Sequence, residues 1–306
     1  NCSASNQPSN KASALWVRPS AGPTTWLLYG HYAGNNKSFP DFVLKEKKLE
    51  INKCYNENCL DTMARIPDGF IDLTVTSPPY DNLRTYNGYS FDFEAVAKGL
   101  FRVTKQGGVV VWVVGDATIK GSETGTSFRQ ALYFKEIGFN LHDTMIYAKN
   151  QYMPLTHNRY EQCFEYMFVF SKGRPKTFNP IRIESLTFGT TKNRGKSKSK
   201  EPTYSERCRD EVTRVKPTKQ KNNIWGYDVG GSNKDDKTEH NAPFPEALAN
   251  DHIITWSNEG DLVYDPFMGS GTTAKMAIIN KRNWIGSEIS KEYCKIIERR
   301  ITTAST

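Results

Sequence analysis

The sequence predicts a doubly wound α/β fold, a mostly parallel sheet with helices on both faces, carrying one inserted basic segment. Two observations lead there. Short apolar, β-branched runs such as Ile71–Thr76 alternate with stretches of helical period. Val109 to Val114 is apolar at every position, which suits a parallel strand covered on both faces and not one facing water.

Residues 1–40 are rich in Ser, Asn, Gly and Pro without any period, and are expected to be disordered or to form a loose extension. Lys53 to Asn58 reads as a strand and Cys59 to Ile66 as one or two helical turns, closed by a turn at Pro67 Asp68 Gly69. The strand Ile71–Thr76 must stop at Ser77 Pro78 Pro79 Tyr80, because two prolines can continue neither a helix nor a ladder. Phe93, Val96, Ala97, Leu100 and Phe101 recur at helical spacing, and Gly107 Gly108 is expected to end that unit before the strand at 109–114. A helix over Ser127 to Ile137, a strand at Thr144 to Tyr147 and an aromatic strand at Cys163 to Phe170 follow. After the basic segment the pattern resumes with a helix over Pro245 to Ser257, a strand at Asp261 to Tyr264 and a helix running through Ile279. A strand at Asn283 to Ser287 and a final helix marked by Tyr293, Ile296, Ile297 and Ile301 complete it.

Charge is unevenly placed. The chain carries a net +8, yet residues 171–221 alone hold 15 Lys and Arg against 5 Asp and Glu. A nucleic-acid backbone is the functional reading of such a segment, and a solvated Lys-rich loop is the plain one. The six cysteines are scattered without a CxxC pair, which fits a reducing cytoplasm, so Cys54 and Cys59 read as ordinary thiols and no metal is expected. No run of about 18 apolar residues is present, so neither a membrane span nor an export signal is expected.

Two loops carry chemistry. In Ser77 Pro78 Pro79 Tyr80 the prolines stiffen the chain and leave carbonyls without ladder partners, beside a hydroxyl and a phenol ring. In Asp265 Pro266 Phe267 Met268 Gly269 Ser270 Gly271 Thr272 Thr273, the glycines permit a sharp turn and the following helix offers amides to an anionic group. Glu288, at the tip of the next strand, suits the hydroxyls of a ribose. Gly269, Gly271 and Ala274 also match GxGxxA, so the loop by itself is open between a dinucleotide, S-adenosylmethionine and a purely structural turn. No Gly Lys Ser/Thr follows, which removes the triphosphate loop.

With both loops and their order in hand, the chain resembles the amino-group DNA methyltransferases, in the permuted order where the catalytic loop precedes the cofactor loop. Ser77 Pro78 Pro79 Tyr80 is similar to the catalytic motif and 265–273 to the cofactor motif. The segment His240 to Leu248 resembles the stretch bordering the methionine part of S-adenosylmethionine, and Phe164 to Gly173 the strand before the target-recognition region. Asn58 stands where the family often has Asp, and the first 40 or so residues match nothing in it.

The resemblance implies S-adenosylmethionine held by Asn58, Cys59, Phe244, Pro245, Asp265, Pro266, Phe267, Gly269, Ser270, Gly271, Thr272, Thr273 and Glu288. It implies that Ser77 and the Pro78 carbonyl, with Pro79 stiffening the loop, hold the amino group of an extruded base on which Tyr80 stacks. The family tendency of Ser at the first position points to cytosine N4, with adenine N6 as the alternative, and the absence of a Pro Cys pair disfavours carbon-5 chemistry. Double-stranded DNA is the implied partner, gripped by Arg84, Lys192, Arg194, Lys196, Lys198 and Lys200. The domains would be a catalytic half (41–170), a recognition insertion (171–240) and a cofactor half (241–306). A cognate restriction endonuclease and a homodimer stay open as partners, and a nicotinamide-dependent oxidoreductase is the competing reading from another class.

Overall fold

The structure is a computed structural model that describes residues 49–79, 91–152, 158–192, 213–229 and 245–304. Within it, β1 (Lys53–Tyr55) leads into α1 (Cys59–Arg65), and β2 (Ile71–Thr76) into α2 (Phe93–Val103) and β3 (Thr104–Val114). The small hairpin β4 (Thr118–Ile119) and β5 (Ser122–Glu123) precedes α3 (Thr126–Glu136), β6 (Asn140–Lys149) and β7 (Phe164–Ser171). The basic segment holds β8 (Arg182–Glu184), β9 (Thr191–Lys192), β10 (Thr213–Arg214) and β11 (Thr218–Gln220) before β12 (Ile224–Tyr227). Then come α4 (Glu246–Trp256), β13 (Leu262–Asp265), α5 (Thr272–Ile279), β14 (Asn283–Ser287) and α6 (Lys291–Ala304).

Eight strands form the main sheet in the order β1-β14-β13-β2-β3-β7-β6-β12. All neighbours are parallel except those of β7, which runs against both β3 and β6. The all-apolar run in β3 is explained by its central place. Val109, Val111 and Val113 face a core built with Leu248, Ile253 and Ala277 of α4 and α5. Val110, Trp112 and Val114 face the opposite core, with Met63, Leu100 and Phe134 of α1, α2 and α3.

Local choices in the sequence explain the helix starts. Asn58 caps α1 by accepting from the Leu60 amide at 2.9 Å, and Asp92 caps α2 by accepting from Ala95 at 3.0 Å. One expectation is corrected. Gly107 Gly108 does not end a unit but lies inside β3, whose register against β2 jumps from Ile71↔Thr104 to Leu73↔Val109. Gly107, at φ +83°, supplies the left-handed residue of that irregularity.

The described residues of the basic segment, 181–192 and 213–221, pair as two antiparallel arms. The arms run together from Ile181 and Lys221 through β8/β11 to β9/β10, with a turn over Ser185–Phe188 on one side. The base of this ribbon is anchored twice. The Asn179 amide donates to Thr255 O at 2.8 Å, at the end of α4, and the Asn223 side chain donates to Thr144 O on β6 at 3.0 Å.

Candidate active site

The two chemistry-bearing loops leave the sheet from neighbouring strands. β2 and β13 pair in parallel over only Val263↔Leu73 and Tyr264↔Thr74, so their last residues run into loops at the same edge. Ser77 and Pro79 are half-buried there and Pro78 is buried.

Side chains take over where the ladder stops. Thr76 Oγ1 donates to Asp265 Oδ1 at 2.7 Å, joining the residue before Ser77 to the first residue of the glycine loop. Thr273 Oγ1 donates to Val75 O at 3.2 Å. The same Asp265 oxygen accepts the Phe267 amide at 3.0 Å, and the Thr273 hydroxyl also bears on the carboxylate. Burial pushes the Asp265 carboxyl up to about 6, while the bonds from the Thr76 hydroxyl and the Phe267 amide draw it back. Asp265 is therefore a joint between the loops, a role that motif spacing alone did not disclose.

The glycine turn is fixed from the next strand. Glu288 Oε2 accepts the Gly269 amide at 2.8 Å and Oε1 accepts the Ser290 amide at 2.8 Å. Burial raises this carboxyl above its ordinary range. Each oxygen keeps a second lone pair, so Glu288 can organise the loop and still accept from a ligand hydroxyl. Gly271 sits at φ +81°, and a Cβ there would lie 3.0 Å from Ile297 of α6. It caps α5 without a side chain, so the helix start is not occupied by a local acceptor. This open, positively polarised helix end beside a carboxylate fits a cofactor with one anionic group and a ribose.

The remaining expected cofactor residues differ in what they offer. Phe267 packs edge-on to Phe91 and Trp112 at centroid distances of 5.3 and 6.3 Å, Pro266 and Ser270 are buried in the loop, and Thr272 and Thr273 are buried in the first turn of α5. Pro245 is the N-cap of α4. Asn58 is exposed, and its side-chain oxygen caps α1. Cys59 is buried, its thiol pushed up to about 12 by desolvation. Lys192 lies on β9, while Tyr80, Arg84, Arg194, Lys196, Lys198, Lys200 and Phe244 lie outside the described residues.

Three site residues escaped the sequence reading. Glu246, Lys275 and Arg300 meet behind the glycine turn, where Glu246 Oε1 receives Lys275 Nζ at 2.6 Å and Arg300 Nη2 at 2.5 Å. Glu246, the first residue of α4, falls within the His240–Leu248 segment singled out in the sequence, whereas no local pattern marks Lys275 or Arg300. Among the described residues no three His, Cys, Asp or Glu side chains converge as a metal site, and no helix is long and apolar enough to cross a membrane.

Comparison with known proteins gives a consistent result. A DNA methylase family model covering N6 and N4 enzymes matches residues 71–299. The orphan methyltransferase M.BamHII of Bacillus amyloliquefaciens is 57% identical over 77% of this chain and 90% of its own length. The DNA adenine methyltransferase YhdJ of Escherichia coli is 26% identical over 81% of this chain and 82% of its own. Among solved structures, the cytosine-N4-specific PvuII DNA methyltransferase superposes with a TM-score of 0.61 at 21% identity, covering 84% of this chain and 92% of that one. A DNA modification methylase of Thermus thermophilus, solved with S-adenosyl-L-methionine, gives 0.55 at 22% identity over 82% and 95%.

Proposed function

This chain belongs to the N6 and N4 DNA methylase family, and we propose that it methylates the N4 amino group of cytosine in a specific sequence of double-stranded DNA, using S-adenosylmethionine. The observation that carries this reading is the Thr76–Asp265 link, which ties the Ser77 loop and the glycine loop at the tips of adjacent strands. Family membership also weighs against the dinucleotide reading of that loop. When bound, S-adenosylmethionine supplies an electrophilic methyl group on a sulfonium centre. Glu288 and the start of α5 are its proposed holders, on ribose and carboxylate respectively.

The remaining chemistry falls to the Ser77 loop. An exocyclic amine is a poor nucleophile because its lone pair is delocalised into the ring. The Ser77 hydroxyl and the Pro78 carbonyl accept the amino hydrogens and localise that pair for in-line attack. Tyr80 stacks on the base once it has left the duplex. No strong base is required, since the methylated nitrogen is acidic enough to lose its proton to water. Ser77 favours cytosine, in keeping with the specificity that the PvuII enzyme's name states. Adenine N6 is the second reading, supported by the match to an adenine enzyme.

The ribbon at 181–221 fits the part of target recognition, within an insertion over 171–240 between a catalytic half and a cofactor half. We place the enzyme on cytoplasmic DNA. Relatives include both an orphan enzyme and type II methyltransferases such as M.BglII of Bacillus subtilis, which leaves a cognate nuclease open. The test is incubation with DNA and methyl-labelled S-adenosylmethionine, then digestion to nucleosides. Label in N4-methylcytosine is the expected result, label in N6-methyladenine moves the assignment to the second reading, and no label in DNA overturns both.

A further inference from the structure

α6 closes over the back of the glycine turn. Ile297 packs against Gly271, and Arg300, about one helical turn further on, reaches the same loop. Its Nη1 donates to Ser270 O at 2.9 Å and Ser270 Oγ at 2.7 Å, with Thr272 Oγ1 at 3.3 Å. Its Nη2 meets Glu246, the first residue of α4, which Lys275 of α5 also engages. One guanidinium thus joins the turn to three helix segments. Ser270 and Thr272 are 4% and 3% exposed, so the carbonyl and hydroxyls that Arg300 satisfies would be costly to leave unpartnered.

We propose that Arg300 is a positioning residue for cofactor binding, one that holds the turn around Ser270 in the shape that receives S-adenosylmethionine. The inference rests on the proposed cofactor and extends it to a residue just past the family match, which ends at 299. Ser270 stands between two residues in left-handed backbone, Gly269 at φ +51° and Gly271 at φ +81°. Glycines lose the most conformational freedom on ordering, so an external clamp there is paid back as preorganisation. The fork geometry matters, because Nη1 and Nη2 serve different elements and an ammonium on a Lys stem cannot span both. Since Arg300 touches the loop and not Ser77, its loss should weaken cofactor binding while leaving the transfer step alone.

The experiment is titration of S-adenosylmethionine into wild type, Arg300→Ala and Arg300→Lys, with steady-state kinetics and a thermal melt of each without cofactor. Arg300→Ala is expected to raise the Kd and KM for S-adenosylmethionine by roughly 10- to 100-fold, with kcat and the KM for DNA little changed. Millimolar guanidinium should restore much of the loss in Arg300→Ala and none in wild type, and Arg300→Lys should recover only part. Wild-type affinity in Arg300→Ala overturns the inference. So does an affinity loss that tracks a lowered melting temperature and resists guanidinium, which would make Arg300 a plain structural residue. Failure of the wild-type protein itself to bind S-adenosylmethionine would instead overturn the cofactor reading, and the wild-type titration shows that by itself.

Discussion

The loop cluster at the tips of β2, β13 and β14 and the ribbon at 181–221 are built on opposite principles. In the cluster the main-chain ladder has ended, and buried side chains do the joining: Thr76 to Asp265, Glu288 to Gly269, Arg300 to Ser270. The described arms of the ribbon are joined mainly by main-chain pairs, with Arg182 donating to the Thr218 hydroxyl at 2.8 Å across an exposed face, and its turn leaves Leu186 96% and Phe188 63% exposed. A ladder is indifferent to which side chains it carries, whereas each buried side-chain bond fixes two identities at once. Substitutions should therefore be costly and specific in the cluster and graded in the ribbon.

The largest effect should come from Gly271→Val. A β-branched residue at φ +81° is strained whatever its surroundings, and its Cβ would meet Ile297 at 3.0 Å. Binding of S-adenosylmethionine measured by calorimetry should fall below detection, and retention of wild-type affinity would show that the turn is not the cofactor's seat. Next is Tyr80→Ala, expected to slow transfer to duplex DNA by roughly 10- to 100-fold, the worth of one base-stacking contact, with cofactor affinity unchanged. Full activity would dismiss stacking.

Thr76→Val probes the joint through pH. The Asp265 carboxyl sits near 6, above the ordinary carboxylate value, and faces Cys54, Cys59, Tyr264 and Glu288, none of them a cation. A carboxyl raised on folding binds its proton more tightly in the folded state, so its ionisation costs stability as pH climbs from about 4 to 6, and that cost stands in full above 6. Removing the Thr76 donor raises the carboxyl further. The variant should lose about 2 kcal/mol at pH 8 and clearly less at pH 5, and the acid limb of its transfer rate should move to higher pH. An equal loss at both values would mean that the Thr76 bond does not distinguish ionised from protonated Asp265. The smallest effect belongs to the ribbon. Lys219→Ala should weaken DNA binding a few-fold and reduce the salt slope of log K by about 1, leaving cofactor affinity untouched. An unchanged slope would take Lys219 off the phosphate path.

Much of this was legible in the sequence because it is local. The strand and helix periods, the proline stop after Thr76 and the glycine turn between β13 and α5 are each written in a few consecutive residues. Gly107 misled because a glycine that ends a unit and a glycine that makes a bulge have the same composition, and only the partner strand tells them apart. β12, four residues just past the basic segment, is not marked as a strand by the sequence because its ladder comes from β6, far away in sequence. The Arg300, Glu246 and Lys275 cluster was invisible for a related reason. Its members are separated by up to 54 positions and meet only after three helices have packed. Glu288 was placed correctly at a strand tip, yet its bond to Gly269 shows a second duty that no spacing encodes.

The ribbon's base leaves the core at Ile181 and returns at Lys221, and the backbone of these two residues is hydrogen-bonded at 2.9 Å. Its anchors, Asn179 and Asn223, belong to the core side of that closure. The closure entropy of the excursion beyond this pair grows only slowly with its length, so a few residues added to or removed from it should cost the core little.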